Sequence, residues 1–354
     1  MSAVGAVSAA AAVAATPAVA GAAPAATASP APQSAAPAAS AASQVATPVA
    51  SALGAMVGEA AMLQDGLAPL LANLGVAAAS PNLPDAARAT VGQLLAALTP
   101  LDGEASGDAL RLAVQTSGVF LEAGLAAGLL SPGEDAPGAG QDVKALLLTL
   151  ASELQTSGEA ETPAMNGDLR PQPPMAGGQT AGQSAAAPTL NSESPPDAMV
   201  RTLQLQSQAA LARVELSQAA SLPKPGEPQR WVFEVPVATP SGTGVAQFEI
   251  NRDGGGGGAG GGQGGSAPAW RARFSVDAAP GGPVHAAIVL TGGRLRVTLM
   301  AQNEPTRAAL AGGQDELARA LASEDDGDDV IIRVLGGAPQ PAAPPPGQFV
   351  DRQS

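Results

Sequence analysis

A chain of 354 residues has room for two or three domains, yet 33 Pro, 43 Gly and an aromatic content of 2% leave much of it unable to bury a core. Its formal charge of −14 lies mostly upstream, with 7 basic and 18 acidic residues over 1–229 against 10 and 13 over 230–354; this argues against nucleic-acid binding, which draws on clustered Lys and Arg. The absence of cysteine and a single histidine, His285, argue against disulfides, zinc sites and Ser/His or Cys/His catalysis, and no apolar run approaches the ~20 residues that cross a bilayer.

Residues 1–50 are Ala/Pro/Ser low complexity, where nothing offsets an ordering cost of about 1–2 kcal/mol per residue, and they are expected to be a disordered leader. The start lacks a basic n-region and its Ala/Val stretch is broken by Pro17 and Pro24, so no cleaved signal peptide is expected. Over 51–156 the apolar residues take helical spacing: Met62, Leu63, Leu67, Leu70, Leu71 and Leu74, then Val91, Leu94, Leu95 and Leu98. Leu110, Val114, Val119, Phe120, Leu121 and Leu125 continue the pattern, and Phe120 and Leu121 read as helical core. Asp142 reads as the N-cap of a helix bearing Val143, Leu146, Leu147 and Leu150. Residues 157–196, rich in Pro, Gly, Gln and Ser, are expected to be a disordered linker. A helix at 197–222 follows, with Met199, Val200, Leu203, Leu211, Val214 and Leu216 ahead of Pro223.

Period two takes over at Trp231, where five of the seven aromatic residues fall within 44 residues: Trp231, Phe233, Phe248, Trp270 and Phe274. Trp231–Pro236 and Val245–Ile250 read as a hairpin. Trp270, Ala272, Phe274 and Val276 point one way and Arg271, Arg273, Ser275 and Asp277 the other. Val284–Leu290 turns through Thr291-Gly292-Gly293-Arg294 into Leu295, Val297 and Leu299, with Arg294, Arg296 and Thr298 outward. A helix from Pro305 or Thr306 aligns Leu310, Leu317 and Leu321, although Gly312-Gly313 inside it costs about 1 kcal/mol per glycine. The acidic run Glu324–Asp329 falls in a loop before a last strand, Val330–Leu335, and 338–354 is a disordered Pro-rich tail. The predicted class is α+β: a small C-terminal sheet domain at 229–337 with one packed helix and a Gly-rich loop at 254–265, preceded by a loose helical region and long disordered Ala/Pro/Gly-rich segments. Its predicted core is Trp270, Phe274, Ile288, Leu295, Val297, Leu299, Leu310, Leu317 and Leu321.

No chemical motif stands out. The glycine tract has no Gly-Lys-Ser/Thr to make a phosphate cradle, the acidic run lacks calcium-loop spacing, and no carboxylate pair sits where desolvation would tune it for acid/base work. No cofactor, metal or enzymatic activity is expected. Arg271, Arg273, Arg294 and Arg296 form a stripe that reads either as a solvated sheet face or as a surface for an acidic or polar partner.

The run Gly282-Pro-Val-His-Ala-Ala-Ile-Val-Leu-Thr-Gly-Gly-Arg-Leu-Arg-Val-Thr-Leu-Met-Ala-Gln-Asn-Glu-Pro-Thr-Arg307 resembles the C-terminal domain of flagellar hook-length control proteins in its pattern of strand, Gly turn, strand, Ala301-x-Asn303 and Thr306-Arg307-x-x-Leu310. Ser117-Gly-Val-Phe-Leu-Glu122 with Asp142-Val-Lys-Ala-Leu-Leu147 is similar to paired segments in the middle region of such proteins, and Trp231–Pro236 also fits. The chain departs from the family at Pro280-Gly-Gly-Pro-Val284, which lacks the leucine of a Pro-x-x-Leu-Gly element, and the Gly-rich tract looks like an insertion. The resemblance implies a non-enzymatic molecular ruler, cytoplasmic and then secreted through the flagellar type III export channel. Its tail would contact the export-gate switch protein to change specificity from hook to filament substrates, with hook and hook-cap subunits as further partners and the chain acting as a monomer. Asn303, Thr306 and Arg307, with Arg294 and Arg296, are the partner-binding residues expected on this basis. A leader of 228 residues would reach on the order of 700–800 Å when extended. The composition also fits an alternative, a secreted or surface Ala/Pro-rich protein with a C-terminal binding module.

Overall fold

The computed structural model describes residues 38–100, 107–127, 141–156, 171–239, 241–253, 269–324 and 329–339. Expectations for residues 1–37, 157–170, 254–265, 325–328 and 340–354 therefore lie outside the described residues. The chain divides into two units at Ala50, and the second, from Ser51 onward, holds the sheet and the helices packed on it.

Among the described residues seven helices come first: α1 (Ala38–Leu63), α2 (Leu67–Ala78), α3 (Asp85–Ala96), α4 (Gly107–Gln115), α5 (Leu121–Ala126), α6 (Val143–Gln155) and α7 (Pro196–Ala220), with the short strand β1 (Thr99–Pro100) between α3 and α4. The helix α1 begins at Ala38, inside the segment expected to lack structure. The leucine spacing has the predicted consequence. Leu70, Leu74, Val91, Leu94, Leu147, Leu150, Leu154, Met199 and Leu203 form one buried cluster joining α2, α3, α6 and α7, each side chain contributing about 1.5–3 kcal/mol by leaving water. Asp142 caps α6, accepting hydrogen bonds from the Lys144 and Ala145 amides.

The two middle-region segments singled out in the sequence meet here. The Val143 amide donates to the Thr116 carbonyl at 2.8 Å, Lys144 pairs with Glu122, and Gln218 of α7 donates to the Gly118 carbonyl at 2.8 Å. Gly118 has φ +91°, and a Cβ there would stand 2.9 Å from the Lys144 side chain, so glycine alone allows this approach.

The sheet follows in sequence order, β1 to β7: β2 (Gln229–Thr239), β3 (Gly242–Asp253), β4 (Ala269–Asp277), β5 (Pro283–Thr291), β6 (Arg294–Ala301) and β7 (Asp329–Gly336). The strands β2 to β6 are an antiparallel meander; β1 adds parallel to β2, and β7 adds parallel to β6 after the crossover helices α8 (Glu304–Gly312) and α9 (Gln314–Glu324). Gly292 and Gly293 both have positive φ, as a two-residue type I′ hairpin between β5 and β6 requires. The single helix expected at 305–321 is two, because Gly313 caps α8 and the chain restarts at Gln314.

Register sorts the side chains onto two faces. The first carries Phe233, Phe248 and Phe274 in stacked contact at 5.3 and 5.2 Å, continues through Ala286, Val297, Leu299 and Ile332, and is covered by Phe120 and α4 near β2 and by α8 and α9 near β7. The second face carries Glu234, Gln247, Glu249, Arg273 and Ser275, and α7 and α2 pack against β2 and β3 there. Helical layer and sheet thus share one core: Val245 of β3 belongs to the leucine cluster.

Two expectations are corrected. Residues 171–195, assigned to a disordered linker, have defined positions and polar contacts on α2, β2, β3 and β4. Trp270, assigned to the core, is 41% exposed, since no described helix lies over that end of β4; it stacks on Trp231 at 6.1 Å under the Arg252 guanidinium. Of the other predicted core residues, Val297 is buried, while Phe274, Ile288, Leu295, Leu299, Leu310, Leu317 and Leu321 are half-buried.

Candidate partner-binding surface

Alternation along β4 to β7 places arginines in cross-strand rows on the second face. Arg271 aligns with Val289, Arg296 and Ile331; Arg273 aligns with Ala287, Thr298 and Arg333. Arg271, Arg294, Arg296 and Arg333 are exposed, and so are Ile331 and Leu335, two large apolar side chains on the same face. In a chain of charge −14, a strip with four exposed arginines and two carboxylates, Asp329 beside Arg294 and the half-buried Asp277 of β4, stands apart. Arginine with exposed aliphatic groups and few acids is the composition of an interface core more than of a solvated face. His285 is half-buried on this side, next to Ser275 in register, and burial lowers its pKa.

The five residues expected to contact a partner do not form one constellation. Arg294 and Arg296 lie at the start of β6 on the open face. Asn303, Thr306 and Arg307 follow its end, about 25 Å away along an eight-residue strand. Asn303 is the N-cap of α8, its carbonyl accepting from the Arg307 amide at 2.9 Å. The Thr306 hydroxyl donates to the Gly281 carbonyl at 2.7 Å, fixing the turn between β4 and β5, and Arg307 pairs with Glu304 one turn back.

The sequence reading missed the buried ions. Arg213 of α7 and Glu234 of β2, 2% and 4% exposed at the side chain, make a bidentate pair with Nε to Oε2 at 2.8 Å and Nη2 to Oε1 at 2.8 Å. Arg213 Nη1 also donates to Gln64 at 2.6 Å and to the Gln172 carbonyl at 3.2 Å. Glu249 of β3 lies 2.9 Å from Arg273 Nη2 and 3.3 Å from Arg230 Nε, the latter without hydrogen-bond alignment. A signal was present: between Trp231 and Val237 of β2, Glu234 is the one charge, and its neighbours in both phases are apolar. Among the described residues no group of three His, Cys, Asp or Glu is placed to hold a metal, and no helix is long and apolar enough to cross a membrane.

These features define an α+β sheet domain, fused to a helical layer, that presents an open arginine-bearing face. Residues 259–326 match the model of the family described as flagellar hook-length control protein FliK, the family that the sequence resembles. The match spans β4, β5, β6, α8 and α9 and supports a role in flagellar hook-length control; the family is regulatory and not catalytic. No curated protein and no solved structure gives a significant match.

Proposed function

We propose that this protein sets flagellar hook length as an exported ruler, and that its C-terminal domain switches type III export from hook to filament substrates. The observation that carries this reading is that the family match covers β4, β5 and β6 of the arginine face and the helices α8 and α9 beside it, and ends just ahead of β7. In this reading the chain is cytoplasmic before export and secreted through the flagellar channel afterwards. The export-gate switch protein docks on the open face of β4 to β7, hook and hook-cap subunits meet the leader during passage, and the chain works as a monomer. Exposed Arg296 and Arg333 steer an acidic surface, and Ile331 and Leu335 supply the apolar contact.

The test is deletion of the gene and electron microscopy of the appendages, with complementation by the full chain, by residues 1–228, or by Arg296→Glu/Arg333→Glu. Overlong hooks without filaments are expected on deletion, corrected by the full chain alone. The double reversal, at exposed positions, should leave the urea midpoint within about 0.5 kcal/mol of the parent and still fail to restore filaments. Normal flagella in the deletion strain would overturn the reading, and full rescue by the double reversal would remove the arginine face from it.

A further inference from the structure

Residues 171–186 cross the second face of the sheet without regular secondary structure. Gln183 makes an antiparallel bridge with Val245 of β3, its amide donating to the Val245 carbonyl at 2.8 Å and its carbonyl accepting from the Val245 amide at 3.0 Å. Pairing between β3 and β4 begins only at Gln247 and Ser275, so Gln183 stands beside β3 where β4 has left it. Two glycines permit the approach. A Cβ on Gly182 would lie 2.8 Å from the Ser275 carbonyl oxygen and 2.9 Å from Val276 Cα, and one on Gly244 would lie 3.1 Å from the Gln183 carbonyl oxygen.

The remaining attachments are hydrogen bonds, most of them to side chains. The Ala181 amide donates to Gln247 at 2.7 Å, the Gly177 amide to Glu249 at 3.1 Å, Arg273 to the Gly178 carbonyl at 3.3 Å, and the Gln183 side chain to Glu234 at 3.1 Å. Apolar burial is limited: Pro174 is buried, Met175 is 66% exposed, and Ala186 alone in the segment packs against the leucine cluster. Hydrogen bonds exchanged for water contribute little net stability, whereas each ordered residue loses conformational freedom. A segment held mainly by hydrogen bonds, over a sheet held by aromatic and aliphatic burial, is of the kind that opens below the global unfolding free energy.

We infer that residues 171–186 are a releasable strap, which lifts from β3 and β4 as one unit while the sheet stays folded, and so extends the open face. Release uncovers Gln247, Glu249 and Ser275, all buried with the strap in place, and frees Arg273 to join the row that ends at Arg333. The sheet thereby has two states: strapped, with the arginine strip open over β5 to β7 and at Arg271 of β4, and unstrapped, with a polar surface reaching β3. The inference stands on the geometry alone and does not depend on the function proposed above.

Amide hydrogen exchange on the full chain tests it. The amides of Gly177, Ala181, Gln183 and Val245 are expected to exchange together, at least about tenfold faster than those of β5 and β6. Gly182→Ala should accelerate those four about tenfold further and leave β5 and β6 unchanged. A second readout uses Ser275→Cys, a unique thiol in a chain without cysteine: it should react with a maleimide at the strap-opening rate, faster again with Gly182→Ala. Strap amides exchanging at the rate of the sheet, or Gly182→Ala accelerating every strand equally, would overturn the proposal. If Gly182→Ala does not fold, Gln247→Ala, which removes the Ala181 contact alone, gives the same discrimination.

Discussion

Arg213 and Glu234 illustrate how one buried pair ties two layers together. Removing the cation alone leaves a carboxylate that is 5% exposed without its partner, and such a change costs about 3–5 kcal/mol, so Arg213→Met should lower the urea midpoint sharply. Arg213→Met with Glu234→Leu should recover most of that loss, because two apolar groups of similar volume need no ion pair. Asp142 gives a pH signature. Burial pushes its pKa up to about 6 from 3.8, against the lowering effect of the amide hydrogen bonds it accepts. Between those values the folded chain holds a proton that the unfolded chain has released, so the stabilisation present below 3.8 is lost as pH rises through 6. Against Asp142→Asn, which does not titrate, the parent should lose at most about 3 kcal/mol between pH 3.5 and 7, read from urea midpoints at each pH. His285 titrates in both chains and cancels from the comparison. The cap at Asp142 was legible, because an acid before an apolar helical run has one reading; its burial was not, because that comes with the Thr116–Gly118 turn, distant in sequence, meeting the start of α6.

Strands and helices were legible wherever a period was present. Alternation gave β2, β4, β5 and β6 and their facing, and leucine spacing gave α2, α3, α6 and α7. The strap was not legible: its contacts join residues 51 to 115 positions apart through glutamine side chains and backbone, and leave no period in the sequence. A stretch of Pro, Gly, Gln and Ser reads as a linker by composition, yet these residue types also suit a chain that must lie close against a polar sheet. The break between α8 and α9 is the reverse case: the glycine pair is plain in the sequence, and it ends one helix where the leucine spacing runs on. Gly312 ends α8, and a Cβ there would meet nothing within 4 Å. Gly312→Ala is therefore expected to raise stability by about 0.4–1 kcal/mol, measured as a higher urea midpoint with an unchanged m-value.

At the scale of the molecule, the expected boundary at 229 falls inside a shared core. Isolated residues 229–339 would leave bare the β2 and β3 positions that α7, α2 and α4 cover, including Val245 and Phe233. Such a fragment should show no cooperative urea transition, whereas residues 51–354 should; an equally cooperative fragment would show that the helical layer is dispensable. This union bears on the ruler reading, since the extended length of the leader is available only after its helices leave the sheet. The order of the strands then acquires a mechanical meaning. From β2 to β6 each strand is hydrogen-bonded to the one next in sequence, so a chain drawn from its N-terminal end into a narrow channel is loaded across its ladders, a few bonds at a time, and is not sheared along them. The sheet unzips like a hem pulled by its thread, and the parallel partners, β1 with β2 and β6 with β7, each joined through helices, have to part by another route.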